Sequence, residues 1–447
     1  MAFSRTLVVS FLAFTIGSAA PATAYLRLHP ENPRYLQETT TGKPVLIASV
    51  TAIVPSAKTY DWKKGLSEII EQKLTYSRVW HLGPWSRDQI WPWAYSDVPA
   101  VGFPANKVDM EKWNPEYWNR MREAMDRANK GGVYAEIHFF DRCGMSPESR
   151  YKGNPWASDN NVNNLEMPTC DKDGTPDFYM YDTKPNLHRQ QDRYVTKMID
   201  ETIEFSNVIY EIENEHWQHD KPDWVAHWAK FTKDYVAKNY PKSPRLVAYS
   251  SLEDDLEACY TMPEVDIVNP HFGNKAEEAP GIMNDYIEPR WAKKKAINVD
   301  EFANGLEDPK VLRIMCWTII TSGAHFHIED ATPKSKPYEI VENLRQFKLQ
   351  SGWDFVHSAP NKKLIVTGNG YCMARPGVEY VAFFPEGGSA SITMPKGKYT
   401  ARWWSTTANE FQGKHEFSHK GGVKALVAPD KAEWVLQIRA GKISSEF

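Results

Sequence analysis

Eight short apolar runs, rich in branched and aromatic residues, alternate along this chain with segments of helical spacing. The runs are Val45–Ser49, Tyr76–His81, Val133–Phe140, Val208–Glu213, Leu246–Ser250, Asp266–His271, Ala296–Glu301 and Gly323–Ile328. Trp113–Lys130, Trp224–Lys238, Asp308–Thr321 and Tyr338–Gln350 read as helices. Tyr194, Val195, Met198, Ile199, Thr202 and Ile203 fall on one face of another. Strand–helix alternation calls for a parallel sheet with helical crossovers. Eight such units predict a (β/α)8 barrel over residues 25–355, since such barrels take about 250 residues plus insertions. An open doubly wound sheet is the alternative, but no Gly-rich phosphate loop follows the first run. The largest insertion, Asp141–Pro185, follows the third strand. It should stand over the C-terminal face of the barrel, where such folds place their sites.

Beyond Ser351 the period changes. Leu364–Thr367, Val378–Phe384, Ala390–Met394, Tyr399–Trp404 and Trp434–Ile438 alternate between turn signals such as Pro385-Glu386-Gly387-Gly388. A small β-sandwich over residues 356–447 is expected. At the other end, Arg5 precedes an apolar stretch from Leu7 to Ala20, and Ala22-Thr23-Ala24 offers a cleavage site. The stretch is shorter than the roughly 20 residues a spanning helix needs. Residues 1–24 therefore read as a signal peptide, and the mature protein as secreted or periplasmic with no membrane span.

Charge narrows the partners. The 447 residues hold 53 Lys+Arg against 57 Asp+Glu, a formal net charge of −4. That balance leaves no basic footprint for nucleic acid, and nothing in it speaks to oligomeric state. Export permits disulfides. Cys143 and Cys170 flank the long insertion as a possible staple, whereas Cys316, in an apolar run, reads as a buried thiol.

The run Tyr210-Glu211-Ile212-Glu213-Asn214-Glu215 ends the fourth strand with three alternating carboxylates, costly to bury unpaired. A polar strand end held by lysine or arginine would account for it equally well. Ile297-Asn298-Val299-Asp300-Glu301 ends the seventh strand. At about 30 residues per βα unit, Glu301 lies roughly three units after Glu215, across the barrel mouth. Two carboxylates facing over a cleft suit glycosidic bond cleavage, one protonating the leaving oxygen and the other attacking or activating water.

With these motifs the chain resembles the clan A glycoside hydrolases, retaining (β/α)8 enzymes with cellulase-like, mannanase-like and galactosidase-like members. The resemblance implies Glu215 of the Asn214-Glu215 pair as acid/base and Glu301 as nucleophile. Arg78 in Tyr-Ser-Arg-Val-Trp corresponds to an arginine supporting the nucleophile, His138 to a histidine near the sugar, and His271 to a Tyr or His beside the nucleophile. The layout also resembles secreted bacterial proteins that join a cellulase-like or apiosidase-like barrel to a C-terminal domain of the collagen-binding type. Tyr399-Thr400-Ala401-Arg402-Trp403-Trp404 and Asn409-Glu410 carry that likeness, which does not imply binding to collagen. The eighth strand departs from the clan pattern, placing His325 and His327 where many members have a tryptophan.

A retaining mechanism implies a protonated Glu215 and an ionised Glu301 with Arg78 beside it. Sugars pack their C–H faces on flat rings. Trp80, Trp85, Trp91, Trp93, Trp156 and Trp217 are the candidate subsite rings, and His325 and His327 candidate hydrogen-bond partners. No cofactor or metal is expected: His216 and His219 lack the H-E-x-x-H context. The expected partner is a carbohydrate substrate. Two readings stay open: a carbohydrate-binding barrel without turnover, and a metal-dependent carbohydrate hydrolase or deacetylase.

Overall fold

A computed structural model describes residues 25–82, 89–100, 106–145, 151, 153–165, 176–179, 184–215, 222–252, 257–272, 279–302, 308–328 and 337–441. The chain enters through a three-stranded antiparallel sheet, β1 (Leu26–Leu28), β2 (Leu36–Glu38) and β3 (Pro44–Val45). Leu26, Leu36 and Ile47 pack against Tyr76, Tyr134, Ile209, Ile267 and Ala296, all at the starts of barrel strands. This sheet plugs the N-terminal end of the barrel.

The barrel follows as β4 (Ala48–Val50), β5 (Ala52–Ile53), β6 (Tyr76–Val79), β9 (Tyr134–Asp141), β10 (Val208–Asn214), β11 (Val247–Leu252), β12 (Ile267–His271), β13 (Ala296–Val299) and β14 (His325–Ile328). All neighbours in the barrel sheet pair in parallel. β4 and β5 are two halves of one strand, interrupted at Thr51, which has φ 68°. One half pairs with β14 and the other with β6, so the sheet closes into a barrel of eight strand positions. Every expected barrel strand forms, with bounds shifted by a few residues.

Helices ring it: α1 (Trp62–Glu71), α2 (Pro115–Lys130), α3 (Pro185–Thr202), α4 (Pro222–Asn239), α5 (Ala279–Arg290), α6 (Pro309–Thr321) and α7 (Tyr338–Ser351). α2 shows why they start and stop where they do. Asn114 accepts from the Glu116 amide, Pro115 fits the first turn, and Arg127 and Lys130 face the dipole at the end. Tyr117, Trp118, Met121, Ala124, Met125 and Ala128 form its buried stripe.

The region after β6 differs from expectation. Trp113 does not start a helix. It ends a hairpin, β7 (Trp93–Pro99) with β8 (Asn106–Trp113), inserted before α2. The insertion after β9 folds back as an aromatic cluster. Trp156 stands edge-on to Trp93 at 5.0 Å and to Phe178 at 5.3 Å, and Phe140 meets Trp224 at 5.0 Å.

The C-terminal region is a separate pair of antiparallel sheets. Six strands lie in the order Ala359–Pro360, Tyr371–Arg375, Glu379–Phe384, Trp434–Ala440, Gly397–Ser405 and Phe411–His419. Ile365–Thr367, Ser389–Met394 and Gly422–Val427 form the second sheet. Tyr380, Ala382, Phe384, Ile392, Met394 and Leu436 fill the space between. Strand alternation sends Met373, Val381, Phe383, Trp404 and Val435 the other way, into the barrel's own core cluster. There Trp317 and Phe347 meet Phe383 and Trp404. α6 is consequently buried on nearly every side after its first turn. Arg313 pairs with Glu433 at 2.7 Å, and Trp404 Nε1 donates to Asn343 Oδ1 at 3.0 Å.

Candidate active site

The barrel interior is polar in its upper half. Arg78 on β6, Glu136 on β9, Glu211 on β10 and Asp300 after β13 are all fully buried. Oxygens of Glu136, Glu211 and Asp300 lie within 4.8 Å of one another. Arg78 answers them. Its Nη2 donates to Glu211 Oε2 and to Asn214 Oδ1, each at 2.8 Å, and its Nε lies 3.1 Å from Asp300 Oδ2. Asn269 Nδ2 donates to Glu136 Oε1 at 2.6 Å. Burial is the main cause lifting Glu136 well above the usual carboxylate range, with Glu211 and Asp300 adding repulsion. Glu211 stands at about 7, raised by burial and restrained by Arg78.

Above this layer the fold brings Glu215 and Glu301 together. β10 ends at Asn214, and Glu215 turns out of the strand at φ 55°, an unusual conformation for a non-glycine residue. Its amide is held by Ser250 Oγ at 3.1 Å, and Asn214 Nδ2 donates to Asp141 Oδ1 at 3.2 Å. Glu301 follows β13 and bridges back to His271 at the end of β12. His271 stands between the two carboxylates. Its Nδ1 lies 3.2 Å from Glu301 Oε2 and 3.5 Å from Glu215 Oε1, and its Nε2 lies 3.0 Å from Asp300 Oδ1 and 2.9 Å from Ser250 Oγ. One ligand atom from each of Glu215, His271 and Glu301 lies within 4.8 Å of the others, a spacing that would also admit a cation.

The electrostatics reverse the sequence expectation. Burial opposes a charge on His271, but Glu301, Asp300 and Glu215 outweigh it and hold the ring protonated. Burial also raises Glu215, yet His271, the Cys143 thiol and Arg78 together pull it down to about 2. Glu301 is raised, first by burial, with His271 opposing and Glu215 adding repulsion. The resting site thus carries an ionised Glu215 beside an imidazolium. Arg78 does not back Glu301 closely. It is 4.0 Å from Glu301 because Glu211, Asn214 and Asp300 take its nearer nitrogens.

Other expected site residues divide. His138 is buried, stacked on His81 at 4.7 Å and edge-on to Trp80 at 5.2 Å, with no protein hydrogen bond at either ring nitrogen. Burial, His81 and Arg78 keep its ring neutral. His325 and His327 do not face a cleft. His325 accepts from the Ile47 amide at 2.9 Å and donates to Arg34 O at 3.1 Å, at the plugged end. His327 donates to Thr51 O at 2.6 Å inside the barrel. Both are core histidines, because alternation along β14 turns them inward below the mouth. Trp91, Trp93 and Trp156 are likewise core, whereas Trp80 remains half-buried beside Arg78 at 5.5 Å. Trp85, Trp217, Cys170, His216 and His219 lie outside the described residues.

Besides Glu136, Asn269 and Ser250, two contributors beside Glu215 escaped the sequence reading. Cys143 is a free thiol rather than half of a staple, and its Sγ donates to Glu215 Oε2. Asp141 accepts from the Cys143 amide at 2.9 Å and so places that thiol. Their signal was positional: both sit at the C-terminal end of a barrel strand, where functional residues concentrate.

A model described as Domain of unknown function (DUF6298) matches residues 101–269. No curated protein matches the sequence. In structure the chain is similar to a glycoside hydrolase with a TM-score of 0.65 at 14% identity, over 94% of this chain and 98% of that one. It is also similar to a glycoside hydrolase family 5 protein from Bacteroides vulgatus ATCC 8482, with a TM-score of 0.63 at 13% identity, over 94% and 93%. The fold, barrel and appended sheets together, is one found among glycoside hydrolases.

Proposed function

We propose that the protein is a secreted glycoside hydrolase that cleaves a β-glycosidic bond in a poly- or oligosaccharide with retention, Glu215 serving as acid/base and Glu301 as nucleophile. The separation of the pair carries this reading: their nearest oxygens lie within 4.8 Å, at the ends of the fourth and seventh barrel strand positions. Double displacement uses carboxyl groups about 5–5.5 Å apart, whereas inversion needs about 6.5–9.5 Å to admit a water. The signal-like pattern of residues 1–24 supports export, and no described helix is long and apolar enough to cross a membrane.

In this mechanism Glu301 attacks the anomeric carbon while Glu215 gives a proton to the leaving oxygen. The proton comes from His271, whose Nδ1 lies 3.5 Å from Glu215 Oε1. Entry of a sugar excludes water and disfavours the separated charges, so the proton moves from imidazolium to carboxylate. Once Glu301 is esterified it no longer supports a charge on His271. Glu215, having lost its proton to the leaving group, then takes one from the attacking water.

The ionised Glu215 and raised Glu301 of the resting site favour a second assignment, with the two roles exchanged. Two measurements in sequence test the reading and separate the assignments. The mature protein and Glu301→Ala are incubated with plant, algal and host polysaccharides, and released reducing ends are measured. Release by the wild type alone supports the reading, and full release by the variant overturns it. A 2-fluoro glycoside of the responding sugar then traps the nucleophile for mass spectrometry. An adduct on Glu301 supports the first assignment, and one on Glu215 exchanges the roles.

A further inference from the structure

We propose that His188, Asp192 and His227 form a zinc-binding site that clips α3 to α4 on the outer wall of the barrel. His188 and Asp192 sit one turn apart on α3, so both side chains leave the same face. His188 Nε2 lies 3.3 Å from Asp192 Oδ1. Two ligands on a tetrahedral ion at about 2.0–2.1 Å stand roughly that far apart. His227 reaches in from α4, its ring 5.4 Å from that of His188 and at 76° to it. One ligand atom from each of the three lies within 4.8 Å of the others.

The chemistry of the set selects the ion. Two imidazoles and a carboxylate suit zinc, while calcium prefers six to eight oxygens. All three residues are partly exposed, while His188 Nε2 and His227 Nε2 are themselves buried. Trp228 stands edge-on to His227 at 4.9 Å, and Phe231 stacks on it at 6.2 Å, forming an apolar floor that strengthens charge interactions. The nearby Arg189 and Arg193 are turned to Glu111, at 2.7 and 2.9 Å. Placement gives the clip a consequence. His188 lies in the first turn of α3 and His227 in the second turn of α4, both at the end of the barrel that carries Glu215 and Glu301. The ion would tie together the helices that flank β10, the strand that presents Glu215.

The site stands independently of the glycosidase reading and is tested without a substrate. Tag-free full-length mature protein, stripped with chelator, is titrated with zinc and separately with calcium, and the melting temperature is followed. Zinc should raise it by about 2 °C or more, and calcium should not. Equilibrium dialysis should find one zinc per chain. Asp192→Asn and His227→Gln should fold and weaken zinc binding at least about tenfold. Glu301→Gln, at the other carboxylate–histidine cluster, should retain it. No zinc response in the wild type, or an undiminished response in Asp192→Asn and His227→Gln, overturns the proposal.

Discussion

Replacing Arg78 with methionine should destabilise the protein more at high pH than at low. The guanidinium faces Glu211 at 2.8 Å and Asp300 at 3.1 Å, with every side chain fully buried. Breaking a buried pair by removing one partner costs about 3–5 kcal/mol, because the other charge is left uncompensated. The protein can escape part of that cost by taking up a proton. Glu211 stands at about 7 in the fold against an ordinary 4.5. A carboxyl raised in this way holds its proton more tightly when folded. Its contribution is full below about pH 4.5 and is lost as pH rises to about 7, some 3 kcal/mol in all. Without Arg78 the folded value climbs further, so the loss continues to higher pH. At pH 5 Glu211 is largely neutral in both proteins, and the substitution acts through Asn214 and through ionised Asp300, which keeps His271 at 3.0 Å as its counter-charge, about 1–3 kcal/mol. At pH 8 ionisation of Glu211 gives the wild type about 1.4 kcal/mol that the variant, holding its proton, forgoes, so the loss there should exceed the loss at pH 5 by about 1 kcal/mol. Urea unfolding followed by tryptophan fluorescence at the two pH values gives the difference directly. Equal losses at pH 5 and pH 8, or a loss below about 1 kcal/mol at pH 8, would refute the account.

Three further outcomes follow from other contacts. Cys143→Ala removes a donor to ionised Glu215 and so raises its proton affinity; with Glu215 as the proton donor, the alkaline limb of the pH–activity profile should move to higher pH, with Cys143→Ser restoring it, and identical limbs in all three proteins would deny the thiol that role. Glu301→Gln should match or exceed wild-type stability near pH 8, since the fold disfavours that carboxylate's charge; a lower melting temperature there would contradict its raised state. Leu36→Ala, in the sheet that plugs the barrel, should cost about 2–5 kcal/mol in chemical denaturation, and a neutral result would mean the plug contributes little packing.

Local patterning made much of the fold legible. Strands buried in a barrel need short apolar runs, and the helices between them need one apolar stripe. Both periods survive in the sequence, and so the eight strand positions and the sandwich strands such as Glu379–Phe384 and Trp434–Ala440 were found close to their true bounds. The β7–β8 hairpin was missed because Asn106–Trp113 is mostly polar and partly exposed, lacking the alternation that marks a half-buried strand.

The sequence by itself determined which carboxylates end the strands: Glu215 and Glu301 are strand-end residues whatever the closure. It also determined the order in which the chain presents them around a ring. Only the tertiary structure decided who stands beside whom. Arg78 turns to Glu211, Asn214 and Asp300, residues on other strands, and spacing along the chain carries no information about that choice. The proton sits on His271 for the same reason, since its state depends on three acidic groups converging from β10 and β13. His325 and His327 show the complementary limit. Alternation says that they share a face, but depth within the barrel, which no local period encodes, turns both into core. A pKa is a sum over neighbours in space, and closure of the barrel is what selects the neighbours.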